Sequence, residues 1–295
     1  MANLKDIQRQ IKSVSNTQKT TRAMKLVSTA KLRRAEELAK RSRLYAAKMN
    51  QVIAEIAGRI KCNKVGGIDN RCFLKIENPK IVDVIFVTAD KGLCGGFNIQ
   101  TIKAVKKLLS EYEERNVKVR LRGIGKKGIE FFKYNEVEIF DSVTDLSSKP
   151  DKKRSDNFIL SSIEDFNDGK IDGLHIVYNG YKNIITQELH VNHLLPVDSD
   201  QFECTEVQNS ILEIEAQDEE HMLTSLVNKY VEYNMYYSLI DSLAAEHSAR
   251  MQAMDAATNN AKEMVKTLNV KYNKARQAAI TTELIEIISG VESMK

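Results

Sequence analysis

The last third of the chain, roughly residues 218–291, has the pattern of one helix, and its length constrains the fold more than any other feature. Alternating steps of four and three residues from Leu226 define a seam in which only His247 and Thr258 are neither apolar nor aromatic. The seam consists of Leu226, Tyr230, Tyr233, Tyr237, Ile240, Ala244, His247, Met251, Met254, Thr258, Ala261, Val265, Leu268, Tyr272, Ala275 and Ala279. A seven-residue repeat sustained in this way predicts a helix supercoiled against a partner.

The alternative, a helix folded back as a bundle, requires helix breakers at spacings of about 15 to 25 residues. The first glycine after Asp218 is Gly290, and no proline lies between them. At about 1.5 Å per residue the helix would be roughly 100 Å long, which is too long for a compact domain.

A second long helix is predicted over residues 1–60, where the first glycine is Gly58. Its seam is apolar at both ends, from Ile7 to Val14 and from Leu32 to Ile60, and polar or small between them. Two such helices at opposite ends of the chain can pair antiparallel, because each then buries a stripe that it cannot bury alone.

Between the helices the pattern changes to that of an α/β domain. Residues 61–80 are polar and rich in turn-forming residues, which indicates a linker. Alternating strands and helices follow, and they predict a mainly parallel, Rossmann-like sheet that ends in an antiparallel hairpin. The predicted strands are 81–89, 117–123, 137–140 and 173–178, with extended segments at 184–197 and 203–214.

The predicted organisation therefore has four parts. A coiled-coil helix (1–60) and a linker (61–80) precede an α/β domain without a nucleotide site (81–215), and a second coiled-coil helix (216–295) pairs with the first. This is an α/β fold combined with a long antiparallel coiled coil.

The charge is unevenly distributed. The whole chain has a net charge of +4, but residues 1–60 contain 14 basic and 4 acidic residues, a local charge of +10. A basic helix can contact nucleic acid, an anionic membrane surface or an acidic protein, or it can be a solvated face. The charged N-terminus lacks a signal-peptide core, and no segment approaches 18 consecutive apolar residues.

Two glycine-rich turns could suggest an enzyme. Residues 123–128 read GIGKKG, a formal GxGxxG, but the motif follows the second strand of the domain instead of the first, which makes it a weak dinucleotide signal. The turn at 88–98 lacks the GxxxxGK[ST] of a phosphate-binding loop. Its Cys94 has no histidine nearby in sequence, so a packed core cysteine is a better interpretation than a nucleophile.

Cysteine and histidine residues form no evident metal site. The cysteines at 62, 72, 94 and 204 are scattered and contain no CxxC pair. His190 and His193 lie on one predicted strand, where a separation of three places them on opposite faces. We therefore expect no metal, no cofactor and no catalytic residue.

Three segments together resemble the gamma subunit of F-type ATP synthases. They are LKDIQRQIKSVSNTQKTTRAMKLVSTAKLRRA (4–35), TADKGLCGGFN (88–98) and EHSARMQAMDAATNNAKEMVKTLNVKYNKARQAAITTELIEIISG (246–290). They occur in the order and spacing of the family and span essentially the whole chain.

The resemblance implies a central rotor shaft. In that family the paired helices stand inside a hexamer of alpha and beta subunits, and the α/β domain rests on the membrane-embedded ring of c subunits beside epsilon. Proton flow turns the ring, and the shaft drives the catalytic beta subunits through their nucleotide-binding states. The resemblance thus implies a non-catalytic subunit without a cofactor, peripheral to the cytoplasmic face of the cell inner membrane.

The resemblance also implies particular contacts. The catch between shaft and beta subunit falls on Arg276 and Gln277, with Thr281 one turn further, and Met24 matches a position close to the beta subunits. The alternative for these residues is that they are ordinary exposed helix positions.

Two other functions compete with the rotor. A basic coiled-coil protein that binds nucleic acid would lose affinity steeply as salt rises. A dinucleotide enzyme built on GIGKKG would bind NADH saturably.

Overall fold

The computed structural model describes residues 4–63, 71–73, 76–197 and 219–294. Both predicted long helices are present: α1 spans Leu4–Asn63 and α5 spans Glu219–Glu292. The chain divides into two compact units, one of Met1–Ala30 with Arg250–Lys295 and the other of Lys31–Ala249. We call the first the helix-pair unit and the second the body.

The body contains a five-stranded mixed sheet with helices between its strands. Its order along the sheet is β3-β2-β1-β4-β5, and only β5 is antiparallel to its neighbour. In chain order the elements are β1 Ile81–Val87, α2 Phe97–Glu114, β2 Lys118–Ile124, α3 Lys126–Tyr134, β3 Asp141–Val143, α4 Lys152–Asn167, β4 Gly173–Tyr181 and β5 Gln187–Leu195. The Rossmann-like prediction is confirmed.

The burial of strand β1 shows that this sheet is covered on both faces. Alternate side chains of a strand point to opposite faces, and in β1 both sets are buried. Val84 and Phe86 pack in a cluster that includes side chains of α2 and α3, whereas Ile85 and Val87 pack in one with side chains of α4 and α5. A continuous apolar strand is the pattern expected of a parallel sheet between two helical layers.

Helix α5 contributes a second apolar stripe to the body. Residues spaced by four along its first turns are buried in the same cluster as the sheet. They are Leu223, Val227, Val231, Met235 and Leu239. The seam of α5 lies beside this stripe. From the seam, the Tyr233 hydroxyl donates to Ser42 O of α1 at 3.0 Å. In the body, α5 therefore packs on both the sheet and α1.

One predicted strand is misplaced. Residues 137–140 form no strand, and β3 begins at Asp141 instead. Only three residues, Asp141–Val143, continue the ladder along the end of β2, where Arg122 is the partner of Asp141. The alternating apolar residues before them, Val137 and Ile139, pack against the core cluster instead, and the Phe140 ring lies 4.3 Å from the Arg120 guanidinium carbon. The extended segment predicted at 203–214 lies outside the described residues.

Candidate partner-contact surface

The helix-pair unit buries one narrow seam. In α1 the polar seam positions Thr21 and Ser28 are buried, and in α5 so are Met254 and Ala261. Farther along α5 the seam positions from Val265 to Ala279 are half-buried, while nearly all positions between them are exposed. The predicted seam is therefore the packing surface of this unit.

The polar seam residues contact each other across the helix pair. The hydroxyl oxygens of Thr258 and Thr21 lie 2.8 Å apart, and Thr258 also donates to Met254 O at 2.7 Å. One turn away, Lys25 Nζ lies 2.6 Å from Asp255 Oδ1. The sequence offered no reason for Thr258 in an apolar seam, and the structure supplies one: its partner is the small polar middle of α1.

These contacts also establish the direction of pairing. As the residue number rises from Thr21 to Lys25, its partner's number falls from Thr258 to Asp255. The two helices therefore run antiparallel in this unit, as predicted.

Of the predicted contact residues, three lie together and one lies apart. Arg276, Gln277 and Thr281 are exposed on α5, and the Thr281 hydroxyl donates to Gln277 O at 2.9 Å. Met24 is half-buried and neighbours Lys25, whose partner is Asp255. Because Arg276 is 21 residues beyond Asp255, Met24 lies about 30 Å away along the helix axis.

Among the described residues, the end of α5 and the turn after it present an exposed apolar surface. Seven large apolar side chains there are between 49% and 88% exposed. They are Ile280, Leu284, Ile285, Ile287, Ile288, Val291 and Met294. Exposed apolar surface of this extent marks an interaction site.

The GIGKKG turn of the body is occupied by protein groups. At the start of α3, the amide of Lys126 donates to Asp90 Oδ1 at 3.0 Å and that of Gly128 donates to Thr88 Oγ1 at 3.0 Å. Burial opposes ionisation of Asp90, but hydrogen bonds from the amides of Lys126 and Asp145 and from Ser147 outweigh it and lower its pKa. A carboxylate thus occupies the helix N-terminus where a phosphate would bind in a dinucleotide fold.

The glycines of this turn are required for packing. Gly125 has a φ of +97°, and a Cβ there would lie 1.9 Å from Thr88 O. A Cβ on Gly123 or Gly128 would lie 2.6 Å from the Phe86 ring. The motif therefore allows α3 to approach β1 closely, and tight turns at a helix start account for it.

The structure describes most of the cysteines and histidines for which the sequence made predictions. Cys94 is buried at 2% exposure, and Asn98 Nδ2 donates to its sulfur at 3.3 Å, which agrees with a packed core residue. His190 stacks on Tyr178 of β4, whereas His193 contacts His175, so the two lie on opposite faces as predicted. Cys204 and the side chain of Cys62 lie outside the described residues.

No helix among the described residues is both long and apolar enough to cross a membrane.

Comparison with known proteins decides the family. A family model described as ATP synthase matches residues 3–294. A curated ATP synthase gamma chain from Sulfurimonas denitrificans is 85% identical over 295 residues, which cover 100% of both chains, and one from Nitratiruptor sp. is 62% identical with the same coverage. The chain belongs to the ATP synthase gamma-chain family.

Solved structures show the same fold. The chain in a Tetrahymena thermophila mitochondrial ATP synthase central stalk and c-ring structure has a TM-score of 0.61 at 21% identity, with 81% of this chain and 99% of that chain covered. A Euglena gracilis mitochondrial ATP synthase rotor chain has a TM-score of 0.62 at 16% identity, with 94% and 98% covered.

Membership of the gamma-chain family also decides between the competing interpretations. A basic coiled coil was open to a nucleic-acid-binding role, but relatives that match the whole chain are ATP synthase gamma chains. The basic N-terminal helix is therefore interpreted as part of an ATP synthase subunit.

Proposed function

We propose that the chain is the central rotor shaft of a proton-translocating F-type ATP synthase. It transmits rotation of the membrane c-ring to the catalytic beta subunits and so couples proton flow to ATP synthesis and hydrolysis. Its partners are the alpha and beta subunits, epsilon and the c-ring. Catalysis belongs to the beta subunits, and this chain binds no cofactor. It is held at the cytoplasmic face of the cell inner membrane as a peripheral protein.

The uncovered end of the helix pair is the observation that best supports this role. Helix α5 is 74 residues long, yet from residue 280 onward all its described side chains are exposed. Burial of an apolar side chain contributes about 1.5–3 kcal/mol, so seven exposed ones favour a surrounding partner strongly. A sleeve of alpha and beta subunits would cover this end and leave it free to turn.

The same role suits the four parts predicted from the sequence. Residues 1–60 and 216–295 form the shaft, 61–80 link it, and 81–215 form a foot that meets the c-ring and epsilon. In the described part of the foot, the phosphate position at the start of α3 holds Asp90. This supports a foot that transmits force and carries out no nucleotide chemistry.

The exposed residues at 276–281 are the proposed catch. Arg276 can form paired hydrogen bonds to a carboxylate of a beta subunit, which the single ammonium of a lysine cannot reproduce. Gln277 and Thr281 extend this polar surface by one turn. Met24 would contact the beta subunits at a second level, about 30 Å away along the shaft.

The catch is tested with the double substitution Arg276→Ala and Gln277→Ala in the assembled complex. A hydrogen bond to a charged group contributes about 1.5–3 kcal/mol, so we expect about a tenfold lower rate of ATP synthesis in energised membrane vesicles. The complex should retain all its subunits, because neither side chain is buried in the chain.

Lys274→Ala provides the matched control. Lys274 is also an exposed cation of α5, but at 100° per residue it lies on the other side of the helix from Arg276. We expect the rate of ATP synthesis by the Lys274→Ala complex to stay close to that of the native complex. Unchanged synthesis in the double variant would refute the catch, and failure of the native chain to co-purify with alpha and beta subunits from solubilised membranes would refute the rotor.

A further inference from the structure

Two histidines that are distant in sequence converge at the edge of the body's sheet. His175 of β4 and His193 of β5 are directly paired across the strands. The register shifts beside this pair, between Leu174 and His175. Irregularities of this kind redirect side chains and are frequent next to functional sites.

The ring nitrogens face one another at a distance that suits a shared metal ion. His175 Nε2 and His193 Nδ1 lie 3.3 Å apart. Two imidazole nitrogens at about 2.0–2.1 Å from a tetrahedral Zn²⁺ are separated by about 3.3 Å. The pair already has this spacing, so an ion would need little rearrangement of the strands.

A third polar group meets the pair. The Tyr112 hydroxyl oxygen, from α2, lies 2.6 Å from His175 Nε2. That nitrogen has either one proton or one lone pair, so it can serve Tyr112 or His193 but not both at once. A metal ion on Nε2 would replace the Tyr112 hydroxyl on that nitrogen, and the displaced hydroxyl would be placed to hydrogen-bond to a metal-bound water.

The two imidazoles differ in their exposure to solvent. His175 is half-buried. His193 is exposed, so an ion can approach from solvent.

We propose that His175 and His193, with Tyr112 beside them, form a binding site for a divalent transition-metal ion such as Zn²⁺. The two imidazoles would be the protein ligands, and waters would complete the coordination, one of them held by Tyr112. Among the described residues no three His, Cys, Asp or Glu side chains converge, so this site is an open two-histidine one. A bound ion would join the two strands of the hairpin beside α2.

The site is tested by titrating the full chain, kept soluble in mild detergent, with Zn²⁺ followed by calorimetry. We expect saturable binding of one equivalent, and at least a tenfold weaker affinity for His193→Asn. His190→Asn is the matched control, because His190 is on the same strand but faces the other side. Its affinity should equal that of the native chain.

A spectroscopic measurement guards against non-specific binding. Electron paramagnetic resonance of one equivalent of Cu²⁺ should show coupling to two nitrogen ligands in the native chain and in His190→Asn, but to fewer in His193→Asn. The proposal is overturned by absence of saturable Zn²⁺ binding, or by equal affinity and identical spectra in His193→Asn and the native chain.

Discussion

The body and the helix-pair unit differ in how far their charged side chains are buried. In the body, Asp83 is fully buried and accepts hydrogen bonds from Arg120 Nε at 2.6 Å and from the Ser162 hydroxyl at 2.6 Å. Arg122, also buried, donates to Ser162 and at 2.7 Å to Phe158 O. In the helix-pair unit, Lys25 and Asp255 form their ion pair with 37% and 46% of their side chains exposed.

This difference in burial distinguishes a domain whose charges are paired within the chain from a helix pair whose surface is open to other chains. Two helical layers cover the body's sheet, so its charges are desolvated and must find partners within the chain. The helix pair covers only its seam, so its charges stay hydrated and its apolar end stays exposed. We therefore expect substitutions in the body to change stability and substitutions outside the seam to change function.

The largest effect is expected from Asp83→Ala in the body. Its removal takes one carboxylate from half-buried Arg120 and from buried Arg122, which keep Asp165 at 2.8 Å and Asp141 at 2.7 Å, and it removes the acceptor of the buried Ser162 hydroxyl. The loss of these charge-assisted hydrogen bonds should lower the free energy of unfolding by about 3–5 kcal/mol. Urea denaturation measures this change. Lys25→Ala, which breaks the exposed pair in the other unit, should cost at most about 1 kcal/mol. Similar costs for the two substitutions would contradict the comparison.

A smaller effect concerns Asp241, which is buried in the body at 1% exposure. Burial raises the pKa of Asp241 to about 6, although Arg43 and the amide of Tyr181 oppose the shift. An unfolded aspartate has a pKa of about 3.9, so between these values the folded state binds the proton more tightly. The stability that proton binding to Asp241 contributes is therefore complete below pH 4 and is lost as pH rises through 6.

Asp241→Asn should remove that dependence. Between pH 4 and pH 8, the free energy of unfolding of the variant should rise by up to about 3 kcal/mol relative to that of the native chain. A pKa shift of one unit corresponds to about 1.4 kcal/mol. Free energies of unfolding at several pH values measure the difference. Parallel pH profiles for the two proteins would show that Asp241 is not the group responsible.

The smallest effect is expected within the seam of the helix-pair unit. Thr258→Val removes the hydroxyl that contacts that of Thr21, which keeps its hydrogen bond to Gln18 O at 3.1 Å, so the substitution should cost about 1 kcal/mol. Adding Thr21→Val should recover part of that loss, because two apolar groups of the same shape can replace a hydrogen-bonded pair at little cost. A double-mutant cycle in urea tests this. Strictly additive costs would mean that the two hydroxyls do not interact.

Much of the architecture was predictable because it depends on local periodicity. The seam of α5 and the absence of breakers predicted its length to within a few residues. A run of mainly apolar and β-branched residues predicted β1, which begins at the predicted residue 81. The short β3 was misplaced because a three-residue strand is decided by its pairing with β2, which the apolar residues at 137–140 do not encode.

The residues proposed to contact beta subunits were found only through family resemblance. Nothing in the periodicity distinguishes Arg276 or Gln277 from other exposed positions of α5. The chain leaves them uncovered, and their partners would lie on other subunits, so physical reasoning from one sequence has no local signal to use.

The sequence by itself determined that the chain has two very long helices that pair antiparallel and, between them in sequence, a Rossmann-like domain, because helix and strand periods are local properties of the chain. Only the tertiary structure decided which distant polar groups meet. Thr258 finds Thr21, Asp90 occupies the start of α3, and His175 faces His193. Such contacts depend on register and on close approach of the backbone, as at Gly125. These are set by packing of the whole fold, and no local pattern specifies them.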